Sequence, residues 1–281
     1  MVASITLIAA LFWSPRPPSD LFLVAAGQLR SATGKEFRTT VWISNLSASP
    51  ARVQATFLER HPVKVPPPSI AIDLAPNATR ELTDLPLQLR RTGVVGAIRF
   101  QCSQPIAVSA RIFSGPETTG TFLKAEPYNA GLRKSDEGLL QGVSYEGDVR
   151  QITYLVETGG RPTGVFIQLR DASGREIANE SLLLEPYEQR SLPIAELARN
   201  TRVRNGSIIV RVTGGGGCVY ASGLQIPTSG GDGYFVGMTV TRSRDGIGMS
   251  TGEMAVYALT ALVVIAAMLF EFYRRKSRLR G

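Results

Sequence analysis

One pattern in this chain is written twice. The runs Thr40–Asn45 and Ala51–Leu58, flanking the turn SASP at 47–50, return as Gln151–Val156 and Gly164–Leu169 around GGRP at 159–162. At an offset of 112 residues, Trp42 falls on Tyr154, Ile43 on Leu155, Pro50 on Pro162, Val53 on Val165 and Phe57 on Leu169. At 110, LAPNATREL (74–82) falls on LEPYEQRSL (184–192), and Gly96-Ala97-Ile98 on Gly206-Ser207-Ile208. The last runs, IAVSARIF (106–113) and CVYASGLQ (218–225), return to 112. An offset that drifts by two residues over about seventy positions marks a tandem duplication of a unit of roughly 100 residues, with small indels in loops.

Within each unit the runs alternate apolar and polar residues and are bounded by turn residues, which is the signal for strands and hairpins. Asp171-Ala172-Ser173-Gly174 is a hairpin turn in which Gly174 supplies positive φ. No amphipathic helix of useful length interrupts residues 21–240, although ELARN (196–200) and LPLQL (85–89) each have room for one helical turn. Short strands spaced by 8–12 residues predict an all-β ectodomain of two antiparallel β-sandwiches with immunoglobulin-like layering. The expected boundaries are 20–126 for the first sandwich, 127–138 for a linker and 139–242 for the second. Trp42 is predicted inside a strand and therefore unavailable as an exposed platform.

The chain ends shift the setting. MAVYALTALVVIAAMLF, residues 254–270, has no charge, Pro or Gly, and RRKSRLRG follows within a few positions. Such a run reaches the ~17–25 residues that span hydrocarbon as a helix. The expectation is a transmembrane helix over 254–273 in contact with membrane lipid, with a stalk at 243–253 and a basic tail at 274–281. Arg274, Arg275, Lys276, Arg278 and Arg280 place that tail on the cytoplasmic side and the sandwiches outside, periplasmic or extracellular. Residues 1–19 read as a signal peptide or a retained short apolar segment. VASITLIAALFW has the length of a signal core, but no basic residue precedes it.

Little in the sequence points to chemistry. Of the net charge of +8, the segment from Glu253 onward supplies three, which leaves a mild excess and no nucleic-acid footprint. His61 is the sole histidine and sits in HPVKVPPP, without the cluster a metal site or nucleophile pair needs. The glycines at 214–217 lack the following helix and lysine of a phosphate cradle, and Ser229–Gly233 offers one carboxylate where calcium requires several oxygens. Cys102 and Cys218 fall in different units and read as buried apolar residues rather than a disulfide. Asn45, Asn77, Asn179 and Asn205 lie in N-x-[ST] sequons, read as turn residues in a bacterial setting and as glycan acceptors in a eukaryotic one. No catalytic, cofactor-binding or metal-binding residue is expected.

RTTVWISNLSASPARVQATFLER resembles the opening of immunoglobulin-like β-sandwich domains in uncharacterised exported proteins of certain Gram-negative bacteria. Trp42, Ile43, Asn45, Ser47, Val53, Phe57 and Leu58 carry the likeness, Leu46 stands where a proline is usual, and the second unit keeps only Tyr154 and the alternating strand. The resemblance implies an extracytoplasmic sandwich and transfers no catalytic residue. The function expected is a non-enzymatic, single-pass membrane protein presenting two sandwiches to an unknown protein partner, in adhesion, scaffolding or envelope assembly. Sheet edges and the loops 60–69, 213–217 and 228–234 are the expected contact surfaces. An accessory subunit of a membrane complex and a glycan-binding ectodomain are the alternatives.

Overall fold

A computed structural model of the chain describes residues 17–30, 34, 36–59, 66–115, 120–146, 149–199, 201–227 and 233–241. The apolar N-terminal run, the stalk, the span expected at 254–273, the basic tail, and most of the loops 60–69 and 228–234 lie outside them. Among the described residues no helix is long and apolar enough to cross a membrane. By its internal contacts the chain divides after Thr241, and every described strand belongs to the part before it.

Nine strands form the first half: β1 (Ser19–Arg30), β2 (Glu36–Asn45), β3 (Ala51–Leu58), β4 (Ser69–Leu74), β5 (Thr79–Leu82), β6 (Val94–Cys102), β7 (Ile106–Ser114), β8 (Thr121–Lys124) and β9 (Glu126–Pro127). Nine more form the second: β10 (Glu137–Tyr145), β11 (Val149–Glu157), β12 (Thr163–Arg170), β13 (Glu176–Leu184), β14 (Gln189–Pro193), β15 (Val203–Gly215), β16 (Val219–Pro227), β17 (Tyr234–Gly237) and β18 (Thr239–Thr241). In the first half one sheet runs β4-β3-β6-β1-β9 and its partner β5-β2-β7-β8, with the end of β1 crossing over to pair Leu29 with Phe37. The second half repeats both orders as β13-β12-β15-β10-β18 and β14-β11-β16-β17, and all ladders are antiparallel. The helical turns fall at Leu85–Gln88, inside the stretch the sequence predicts, and at Ile194–Leu197, which begins two residues before the predicted ELARN.

The duplication holds at the level of residue pairs. Ala55 faces Phe100 as Ile167 faces Val210, and Trp42 faces Glu81 as Tyr154 faces Ser191. One offset needs correction. Asn45 pairs with Ile106 and Glu157 with Val219, so β7 maps onto β16 at 113, not 112. With side chains alternating faces, a one-residue slip would turn the buried row Ile106, Val108, Ala110 out of the core. At 113, Ile106 and Val108 fall instead on the buried Val219 and Ala221.

Each half closes over its own core. Leu23, Phe57 and Ile98 from one sheet meet Val41, Ile43 and Val108 from the other, and Leu140, Ile167 and Val210 meet Leu155 and Ala221. Gly96 and Gly206 recur for a steric reason. A Cβ on Gly96 would run into the Leu58 carbonyl and the Phe57 ring, and one on Gly206 into the corresponding Arg170 carbonyl. The segment 127–138, expected as a linker, is packed: Leu132 is wholly buried and bonds Val219 through both its N–H (2.7 Å) and its carbonyl (2.9 Å).

Candidate interaction face

The two halves share a third apolar layer that no periodicity argument anticipates. On β1, Leu23 points into the first core, while Phe22 and Val24 point the other way, where with Leu58 and Ala97 they meet Tyr154, Val156 and Leu224 of the second half. β1 is therefore buried on both faces, which is why LFLVAAG reads as an unbroken apolar run and not as an alternation. The same holds for β11, where Leu155 faces one way and Tyr154 and Val156 the other.

A charged clamp sits at the edge of this layer. Arg99 donates from Nε and Nη2 to the two oxygens of Asp20, at 2.7 and 2.8 Å, and the Asp20 side chain is fully buried. The guanidinium lies 4.3 Å from the Tyr187 ring centroid and 5.6 Å from that of Phe22, so a first-half ion pair is roofed by a second-half ring. Phe22 and Tyr187 stack at 6.3 Å. Tyr154 stacks on Phe235 at 6.2 Å, and burial pushes its hydroxyl pKa well above the usual phenol range. Beside it a cavity of about 130 Å3 remains, lined by Val95, Ile112, Ile152, Tyr154, Leu224 and Ile226. Burial also lifts the Tyr220 hydroxyl, to about 12.

The outer face of the β5-β2-β7-β8 sheet overturns one expectation. Trp42 does lie in a strand, but Val41 and Ile43 take the core positions on either side of it and Trp42 points outward, half-buried. Its ring stacks on Phe122 at 6.2 Å and 24°, and Phe122 is 65% exposed. Arg111 lies 5.6, 5.2 and 5.5 Å from the centroids of Trp42, Phe113 and Phe122. Its Nε is buried with no acceptor, and no carboxylate pairs with the guanidinium among the described residues. The indole N–H is tied to Glu81 at 3.0 Å, which fixes the ring. The sequence placed Trp42 in the right element, but the conclusion that it is unavailable as a platform does not follow, because strand membership alone does not choose a face.

This ledge has a twin. Phe122 sits across from Arg111 on β8 as Phe235 sits across from Leu224 on β17. Trp42–Phe122 and Tyr154–Phe235 are thus the same ring pair in the two halves, one exposed and one docked.

Several buried polar side chains serve the fold. Glu157, fully buried at the end of β11, accepts through Oε1 from the N–H of Gly159 (2.7 Å) and Cys218 (3.0 Å). Through Oε2 it accepts from Gly160 (2.8 Å), Arg161 (3.3 Å) and Tyr187 (3.0 Å). The 213–217 stretch is the hairpin that brings Cys218 to this carboxylate, and a Cβ on Gly217 would strike it. Asn45 does the same work at the matching position in the first half. Its Nδ2 donates to the carbonyls of Ser49 and Ala75 at 2.7 and 3.0 Å, and its Oδ1 accepts from Ser47. A sequon nitrogen so occupied and buried is closed to a glycan in the folded state, whereas Asn77, Asn179 and Asn205 are exposed. Cys102 and Cys218 are both free and buried, and burial raises the Cys218 thiol pKa. Among the described residues no group of three His, Cys, Asp or Glu side chains is placed to hold a metal. His61 lies outside the described residues.

No protein-family model and no curated protein matches the chain. Among solved structures it is similar to Thermotoga maritima 1070, at 12% identity and a TM-score of 0.30, over 39% of this chain and 92% of that one. The Pleurotus ostreatus lectin in its apo form gives 11% and 0.22 over 82% and 86%, and broad bean stain virus gives 9% and 0.20 over 77% and 80%. At these TM-scores the likenesses carry no argument about fold or ligand.

Proposed function

We propose that this chain is a non-catalytic, membrane-anchored presenter of two immunoglobulin-like sandwiches, and that its first half engages a protein partner through the Trp42–Phe122 face. The observation that carries the reading is the twin ring pair. The face that in the second half is used to bind a sandwich carries in the first an exposed aromatic centre and a cation with no counter-ion among the described residues. Aromatic and Arg side chains are the residue types that dominate protein contact energies. Anchorage rests on the apolar run at 254–270 and its basic flank, export on the N-terminal run, and the outward placement of the sandwiches on the charge bias of the tail. A photo-activatable residue at position 122 in cells tests the reading, with the same residue at the exposed hairpin position Ser173 as control. Cross-links to protein from 122 and none from 173 are expected. Equal labelling at both positions refutes it.

A glycan-binding role gains one specific point, since Trp42 is surface-facing and the ground on which the sequence disfavoured it is gone. Binding of neutral polysaccharides by the purified protein, abolished by Trp42→Ala, would favour that role over protein contact.

A further inference from the structure

We propose that the partner of the Trp42–Phe122 face is a second copy of this chain, docking through the outer face of its β12-β15-β10 sheet. This rests on the presenter reading above and names its partner. The contact between copies would repeat the one that joins the two halves within a copy.

The internal joint defines what such a face accepts. Tyr154, Val156, Leu224 and Phe235 receive the outer face of β3-β6-β1, whose centre is Phe22, Val24, Leu58 and Ala97. The second half carries the same three strands in the same order, β12-β15-β10. Leu139 pairs with Ile209 as Phe22 pairs with Arg99, so Leu139 stands where Phe22 stands. Phe166 adds an aromatic ring on the same side, since its neighbours Val165 and Ile167 are in the core. At the sheet edge Leu183, across from Gly164, is 55% exposed. Between them Ile209 is buried and Leu139 and Phe166 are half-buried. Among the described residues each chain therefore has a face of each kind with exposed apolar side chains, Phe122 on one and Leu183 on the other, and the two kinds are those already seen fitted together.

The differences between the open and closed faces are also instructive. Arg111 replaces Leu224, and Ser44 replaces Val156; on the complementary face Arg170 replaces Leu58 and Gln141 replaces Val24. Polar positions surrounding an apolar centre are the composition of an interface that opens and closes, rather than of a domain core. On the complementary face Glu137 takes the place of Asp20, and its side chain is 40% exposed even while paired with Arg211. It belongs to the end of the joint roofed by Tyr187, away from the end beside Ala26 and Val95 where Leu224, and so Arg111, stands. Because the two faces differ, the contact is heterologous and head-to-tail, and each addition leaves one face of each kind free. Such contacts extend into longer species or close into a ring according to the rotation between copies, and confinement of anchored chains to one membrane favours either.

Sedimentation of the purified full-length protein in detergent tests this, with Phe122→Asp, Phe166→Asp and their mixture, each checked for an unchanged unfolding midpoint. Wild type is expected to grow from monomer to dimer and longer species below about 100 µM, the range of weak, reversible contacts. Each variant alone should associate at least ten-fold more weakly. The 1:1 mixture should recover dimers and stop there, since each variant keeps one intact face. Loss in Phe122→Asp with none in Phe166→Asp, or a mixture that recovers nothing, overturns head-to-tail docking. A wild type that stays monomeric while position 122 cross-links another protein overturns self-docking and leaves the presenter reading standing. Monomer with no cross-link at 122 removes both.

Discussion

Replacing Glu157 separates a structural carboxylate from a decorative one. Five backbone N–H groups converge on it, two on Oε1 and three on Oε2, from the 159–161 turn, the Tyr187 turn and the start of β16. In Glu157→Ala all five lose their acceptor. A buried donor left unsatisfied costs about 1–3 kcal/mol. Water entering the vacated space serves some of them, so with about half unmet the loss is roughly 4–5 kcal/mol. In a domain of this size each kcal/mol moves Tm by about 2–4 °C, so the midpoint falls by roughly 10–15 °C. Glu157→Gln is the sharper test because it keeps the volume. Whichever way the amide is turned, its NH2 faces two donors or three, and the loss is at least about 2–3 kcal/mol. Guanidinium unfolding of the purified protein reads both. A Gln variant within about 0.5 kcal/mol of wild type, the range of an ordinary surface change, would refute the claim that the carboxylate organises these loops.

Arg99→Met should cost about 3–5 kcal/mol, because it strips both guanidinium bonds from the fully buried Asp20 side chain. The second half should then unfold apart from the first, seen as a split transition; a single unshifted one would count against the clamp. At Asp84, burial raises the carboxyl pKa, with Arg38 pulling it down, and Oδ1 has no partner. A folded-state pKa above the unfolded value means that the charge is a penalty at neutral pH, relieved as pH falls through the folded pKa. Asp84→Asn should therefore raise the unfolding midpoint at pH 7, with asparagine also tolerating the residue's φ of 48°, and the gain should shrink on acidification. An undiminished gain at acid pH would show that the charge is not its source.

Much of the fold was legible because β-structure writes itself with period two. The strand Ala51–Leu58 alternates cleanly, and its copy at Thr163–Arg170 does likewise, so both could be placed and aligned from sequence. The last strand slipped by one residue because IAVSARIF and CVYASGLQ have small apolar residues on both parities, leaving composition unable to choose a register. The double burial of β1 and β11 had a signal, the unbroken runs at 21–26 and 154–156, but an apolar run does not say what covers its second face. The ledge had less. Trp42 and Phe122 are 80 positions apart, and Arg111 reaches them only because β7 lies between β2 and β8.

The sequence alone determined that this chain repeats an antiparallel β unit, where its strands and helical turns fall, and that its cysteines are buried. These follow from local alternation, turn chemistry and self-similarity, all short-range in the chain. Tertiary structure decided which face of each strand is covered. It docked Tyr154 and Phe235 on the first half and left Trp42 half-buried and Phe122 exposed, although the two pairs hold the same places in the repeat. The physical reason is that a repeat has two faces and only one neighbour here. Position in the array, not residue type, determines which copy of a surface remains open.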